Sequence, residues 1–182
     1  MGQYYRPVLK QNDKTTVYNR NVDGEYTLAK LMEHSWWDND LLVAIGKKLY
    51  KKKGQLAWVG DYSEYEDCEK LNVPMSLIDI AWGKNVRGRG LKKVNNFIFD
   101  NKYLCNHSIK RYINLKTYYV NHADNNDCIN PLSLLTAVGN GRGGGDYFGL
   151  NSCDIGIWAW DIISIEDEIP ENYLESTPLF RI

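Results

Sequence analysis

Apolar residues recur along this chain with two different periods, and the switches between them mark its elements. Residues 4–10 and 15–19 are β-prone runs on either side of Gln11-Asn12-Asp13-Lys14, a turn-rich tetrad, and predict a hairpin. Residues 28–34 place Leu28, Leu31 and Met32 on one face of a short helix. The strongest helical signal covers 38–53, where Leu41, Leu42, Ile45 and Leu49 form an apolar stripe. Asp38 and Asp40 suit its N-terminus, the lysines its C-terminus, and Gly54 its stop. Residues 55–59 then read as a strand. Residues 62–72 read as an acidic surface loop or short helix, 74–82 as an apolar stretch of either type, and 83–90 as a basic glycine loop. A second hairpin is expected from 96–100 and 102–107 around Asp100-Asn101, continued by 111–115. Asn130-Pro131 opens a helix carrying Leu132, Leu134 and Leu135. Residues 155–165 are nearly continuous in Ile and Trp, which predicts a strand buried on both faces.

The order hairpin, short helix, strand thus occurs twice, in halves of approximately 1–72 and 96–170. Trp58-Val59-Gly60-Asp61 is answered by Trp158-Ala159-Trp160-Asp161, and Lys102-Tyr103-Leu104 stands in the place of Gln3-Tyr4-Tyr5. The expectation is an α+β fold: two degenerate hairpin–helix–strand halves packed as a single domain, 1–182, with pseudo-twofold symmetry. The competing explanation is coincidence in an aromatic-rich chain. Two copies are too few for a solenoid.

Composition narrows the class further. With 182 residues, 43% hydrophobic, and thirteen Tyr and six Trp, the chain suits a packed globular protein with half-buried β faces. The net charge of −1 offers no global attraction to nucleic acid or membrane. The local pattern is less neutral: Lys47, Lys48, Lys51, Lys52 and Lys53 cluster, as do Lys84, Arg87, Arg89, Lys92 and Lys93, and the C-terminal end is acidic. Cys68, Cys105, Cys128 and Cys153 contain no C-x-x-C, no apolar run opens the sequence, and no stretch approaches the roughly 20 apolar residues of a membrane span. A cytoplasmic protein with reduced thiols and no membrane partner is expected.

Four constellations bear on chemistry. Gly139-Asn140-Gly141-Arg142-Gly143-Gly144 formally matches G-x-G-x-x-G, but it follows a helix and opens none, so it is no dinucleotide fingerprint. Gly141, Arg142, Gly143, Gly144, Gly145 and Asp146 still form a candidate ligand loop, because consecutive glycine amides bind anions and Arg142 adds a planar donor fork. The alternative is a tight connection that needs positive φ. Cys105-x-His107 with His122-x5-Cys128 is not an established zinc spacing, so no metal and no cofactor is expected. His34 is a candidate base, and Asp61 with Asp161 a candidate carboxylate pair, set against simple strand-end caps. No catalytic set emerges. The lysines of 47–53 with Arg87 and Arg89 are a candidate phosphate-binding patch, with Tyr50 and Trp82 as stacking partners, set against a helix end that complements its own dipole. Trp36 and Trp37 are candidate protein contacts, one facing the core and the other solvent.

Met1-Gly2-Gln3-Tyr4-Tyr5, Lys30-Leu31-Met32-Glu33-His34-Ser35-Trp36, Trp58-Val59-Gly60-Asp61-Tyr62 and Asn140-Gly141-Arg142-Gly143-Gly144-Gly145-Asp146-Tyr147 together resemble a family of small uncharacterised proteins from gut bacteria and their phages. The resemblance spans nearly the whole chain and supplies no functional residues. In size and origin the chain is similar to the type II-A anti-CRISPRs, inhibitors of CRISPR–Cas9. That implies a non-enzymatic binding protein that docks on a nucleic-acid-handling effector, such as the Cas9–guide RNA complex, through the basic clusters and Arg142. Two other classes remain open: a small-molecule or nucleotide-binding protein, or enzyme, using the glycine loop; and a structural homo-oligomer joined through Trp36-Trp37.

Overall fold

The computed structural model describes residues 1–20, 29–84, 86, 88–92, 94, 99–122, 129–150, 152–178 and 180. The protein is α+β. Strands β1 (Tyr5–Gln11) and β2 (Lys14–Arg20) form the first hairpin, with Asn12 and Asp13 both at positive φ in a two-residue turn. Helices α1 (Leu31–His34) and α2 (Asp40–Leu49) lead to β3 (Gly54–Gly60), which pairs antiparallel with β1. Then come α3 (Tyr65–Lys70), α4 (Ser76–Trp82) and the short β4 (Arg89–Gly90). The second part runs through β5 (Tyr103–Asn106), β6 (Arg111–Asn114), α5 (Leu115–His122), α6 (Pro131–Leu135), β7 (Ala137–Val138), β8 (Ile162–Glu166) and β9 (Leu174–Glu175).

Among the described residues nine strands join one mixed sheet in the order β4-β2-β1-β3-β8-β5-β6-β9, with β7 paired to β3. β1 pairs with β3 and β5 with β8, and β3 meets β8 antiparallel at the centre. The doubled Trp–Asp motif does not occupy matching places in this order. Trp58 lies inside β3, whereas Trp158 lies in a run of turns before β8.

The strand expected over 155–165 is therefore confined to its last third. Trp160 takes φ of 64° and Gly156 of 80°, and neither belongs in a strand. Within that third the expected burial on both faces holds, since Ile163, Ser164 and Ile165 are each fully buried; β3 is buried on both faces as well. Its Leu56 and Trp58 enter a core with Leu9, Leu42, Ile45, Leu49, Leu135, Ile163 and Ile165, and its Ala57 and Val59 enter a second core with Val8, Val17, Cys68, Leu77 and Ala81. α2 and α6 cover the first face, and α3 and α4 the second.

The strong helical stripe is α2. Burying Leu41, Leu42, Ile45 and Leu49, none more than 3% exposed, contributes about 1.5–3 kcal/mol each. Its cap is Asn39, not Asp38: the Asn39 Oδ1 accepts from the amides of Leu41 and Leu42, each at 3.0 Å. The helix ends at Leu49, four residues short of the expected last helical residue, Lys53, because Tyr50 is extended and Lys51 takes φ of 54°. Gly54 begins β3, where a side chain would collide with Leu9 and Gln11 of β1. The second hairpin is β5–β6, turning through His107–Lys110, with the Asn106 Oδ1 accepting from the amides of Ser108 and Ile109. Residues 96–98 of the expected earlier arm lie outside the described residues. Among the described residues no helix is long and apolar enough to cross a membrane.

Candidate functional site

Strand alternation puts Leu9, Gln11, Lys14, Thr16 and Tyr18 on the face of the β1–β2 hairpin turned toward α2. The last turn of α2 and the segment after it bring Lys48, Lys52 and Lys53 to the same place, and β4, paired with β2 at Tyr18↔Arg89, brings Arg89. The result is a groove with two adjoining lobes. One, of about 210 Å³, is lined by Leu9, Gln11, Lys14, Thr16, Tyr18, Lys48 and Arg89. The other, of about 310 Å³, is lined by Gln11, Asn12, Lys48, Lys52 and Lys53. Neither described lining contains a carboxylate; Asp13, at the hairpin tip, is next in sequence to Asn12 and Lys14. The two basic clusters of the sequence thus meet at Lys48 and Arg89, joined by Lys14, which sequence reasoning had counted only as part of a turn. Arg87 and Lys93 lie outside the described residues.

Cations beside the groove are engaged elsewhere. Asp167 receives the Lys51 Nζ at 2.6 Å, the Lys102 Nζ at 2.9 Å and the Tyr50 hydroxyl at 2.8 Å. Those partners, Lys51 first, hold its carboxyl well below the usual range. Lys47 stands 5.0 Å over the Tyr50 ring. Neither expected stacking platform is open: Lys47, Lys51 and Lys102 surround Tyr50, and the Arg6 guanidinium lies 3.8 Å over Trp82, whose indole N–H donates to the Val59 carbonyl.

The glycine loop does cradle an anion, and the anion is its own. Asp146, 5% exposed, accepts on Oδ2 from the amides of Gly141, Arg142 and Gly143 at 2.7, 2.8 and 3.0 Å, and on Oδ1 from the Tyr5 hydroxyl at 3.0 Å. Burial and the neighbouring carboxylate push the Tyr5 hydroxyl far above its ordinary pKa. Arg142 also turns inward, bidentate on Asp67 at 2.7 and 3.0 Å and 3.1 Å from Glu64. The amides and fork expected to meet a ligand are thus satisfied within the chain. Gly144 and Gly145 add backbone links: Gln3 N–H donates to the Gly144 carbonyl at 3.1 Å, and Met32 N–H to that of Gly145 at 3.2 Å. Gly143 has a glycine's reason, since a side chain there would collide with Gln3.

The four motifs that carry the family resemblance therefore interlock. Gln3 Nε2 donates to the Gly139 carbonyl at 3.1 Å, His34 Nε2 bonds the Tyr5 carbonyl at 3.2 Å, and Asp61 Oδ1 accepts from the Tyr4 amide at 3.0 Å. Asp61 and Asp161 are not a working pair, because Asp161 is bound separately by the Asn106 amide at 2.7 Å. His34 is fully buried, and desolvation lowers its pKa to about 4, so it meets no substrate. Trp36 is half exposed, whereas Trp37 packs at 5.6 Å on Phe99 and 5.0 Å on Tyr119.

One polar constellation was missed from the sequence. His107 bonds the Tyr173 hydroxyl through Nδ1 at 2.6 Å and Ser164 Oγ through Nε2 at 2.7 Å, and Ser164 donates to Glu166 at 2.6 Å. Because the serine hydrogen goes to Glu166, Nε2 donates and Nδ1 accepts, in a neutral imidazole whose pKa burial, then Lys53, lower. Ser164 is fully buried and its hydrogen is committed, so the dyad ties the C-terminal segment to the sheet and presents no nucleophile. The only hint in sequence was the period-2 spacing of Cys105 and His107. Burial raises the Cys105 thiol to about 12 and the Cys68 thiol to about 11, leaving both unreactive near neutrality. Of the Cys-x-His and His-x5-Cys residues, Cys128 and the His122 side chain lie outside the described residues; among the described residues no three His, Cys, Asp or Glu side chains form a metal-binding group. No protein-family model, curated protein or solved structure matches this chain.

Proposed function

We propose that this chain is a binding protein whose working surface is the basic groove between the end of α2 and the β4–β2–β1 edge, and that it docks there on a phosphate-bearing partner. The observation that carries this reading is the arrangement of Lys14, Lys48, Lys52, Lys53 and Arg89 around one groove with no carboxylate in its described lining. Lys51 and Lys102, by contrast, are each held by Asp167, and Arg142, in the glycine loop, by Asp67. Clustered like charges repel, so a chain of net charge −1 that leaves these five together forgoes some stability at this point. Phosphate backbones supply the complementary field. Half-exposed Trp36 offers a second, protein-directed contact.

The family resemblance makes a CRISPR–Cas9 effector with its guide RNA the first partner to test. The experiment is capture of the protein on Cas9–guide complexes from several orthologues, with DNA cleavage followed in parallel. The expected result is binding that weakens in the Lys48→Gln/Lys52→Gln/Lys53→Gln variant, together with inhibited cleavage. Uninhibited cleavage and no capture across the orthologues would remove Cas9 as the partner, and a triple variant that binds as well as the parent would remove the groove.

A further inference from the structure

The groove is two lobes with a shared wall, and the sharing is specific: Gln11 and Lys48 line both. Lys14 and Arg89 belong to one lobe, Lys52 and Lys53 to the other. We infer that the groove holds two consecutive phosphates of a nucleic-acid strand, one in each lobe, with Lys48 bridging them, and that it reads the backbone without the bases. The inference rests on the groove being the working surface.

Three observations support it. First, each lobe has its own pair of cations and draws on a common third, which matches a ligand with two neighbouring anionic groups better than one compact anion. Second, all five cations are exposed. A small-molecule pocket buries most of its ligand behind apolar walls; here a ligand keeps one side in water, as a polymer backbone does. Third, Tyr18 is the one aromatic among the described lining residues, and it is only 8% exposed. With Tyr50 and Trp82 covered by cations of the chain itself, no ring among the described residues at the groove is presented for a base to stack on. The end of α2 is also prepared for an anion. Its carbonyl oxygens would repel phosphate, but the Gln11 side-chain amide donates to the Lys48 carbonyl at 3.0 Å and approaches those of Lys53 and Lys52 at 3.4 and 3.5 Å.

The test is fluorescence anisotropy with a labelled ten-nucleotide oligothymidylate and with an abasic oligodeoxyribose phosphate of the same length, on the full chain. Two phosphates on a single strand give a log–log salt slope of about −1.4, so affinity should fall about sevenfold between 50 and 200 mM salt. Lys48→Gln should weaken binding more than either Lys14→Gln or Lys53→Gln and flatten the salt slope, whereas Lys116→Gln, at an exposed position on α5, should change nothing. The two oligomers should bind within twofold of each other. Lys48→Gln no worse than Lys14→Gln, or a tenfold preference for the base-bearing oligomer, overturns the two-phosphate assignment and leaves the groove standing. No binding of either oligomer at 50 mM salt overturns the groove as well.

Discussion

Replacing Asp146 by alanine separates a glycine loop that binds its own carboxylate from one that waits for a ligand. Asp146 accepts from three amides at 2.7, 2.8 and 3.0 Å and from Tyr5 at 3.0 Å. Hydrogen bonds to a charged group contribute about 1.5–3 kcal/mol each, but four on one carboxylate act as a unit and do not add. Gly141 is exposed and regains water, whereas the buried Tyr5 hydroxyl loses its acceptor. The net loss in Asp146→Ala is therefore about 3–5 kcal/mol, a large part of the 5–15 kcal/mol typical of a domain. In a chain of 182 residues that lowers Tm by roughly 6–20 °C. The vacated nest should then take formate. At 100 mM formate and a Kd of about 10 mM, the variant regains about 1.4 kcal/mol. Urea unfolding of parent and variant, in formate and in chloride of equal ionic strength, measures both effects. A loss below about 1 kcal/mol, or equal stabilisation of the parent by formate, would refute the assignment of Asp146 as the loop's internal anion.

Three further outcomes follow from the same geometry. His34 has a folded pKa of about 4 against an ordinary 6.5, so the unfolded chain takes the proton first; stability is intact above pH 6.5 and falls as pH drops toward 4, by about 3 kcal/mol in total. Urea midpoints between pH 7 and 5 should decline in the parent and stay flatter in His34→Gln, and parallel slopes would sink the assignment. Tyr5 has its pKa raised, so its contribution is complete below pH 10 and is lost as pH rises beyond it. Tyr5→Phe should cost about 1–2 kcal/mol at pH 7 and show a shallower alkaline decline by circular dichroism, and an identical decline would count against it. Arg142→Ala leaves the buried Asp67 without its bidentate partner and should lower Tm; Arg142→Lys should recover less than half of the loss, because a point charge cannot meet both oxygens. Full recovery by lysine in a thermal melt would show that charge alone matters there.

Much of the scaffold was legible along the chain, because it depends on neighbours. The Gln11–Lys14 turn, the α2 stripe, the Asn130-Pro131 helix start and the inward–outward split of Trp37 and Trp36 are short-range consequences of turn chemistry, periodicity and size. The apolar run at 155–165 misled, since Ile and Trp are as good at packing turns over a core as at building a strand; Trp158 is 2% exposed without being in β8.

The groove and the loop were decided by the tertiary structure. The sequence determined by itself that lysines cluster near 47–53, that arginine and lysine cluster near 84–93, and that the glycines at 139–145 end in an aspartate. Whether a charge is paired or waiting depends on groups far along the chain. Asp67 turns Arg142 inward across 75 positions, Asp167 removes Lys51 and Lys102 from the basic surface, and β2–β4 pairing brings Arg89 to Lys48. Local pattern sets which backbone forms, because hydrogen bonds and side-chain periods act over a few residues. The company a charge keeps is set by sheet order, which places segments a hundred residues apart within one hydrogen bond of each other.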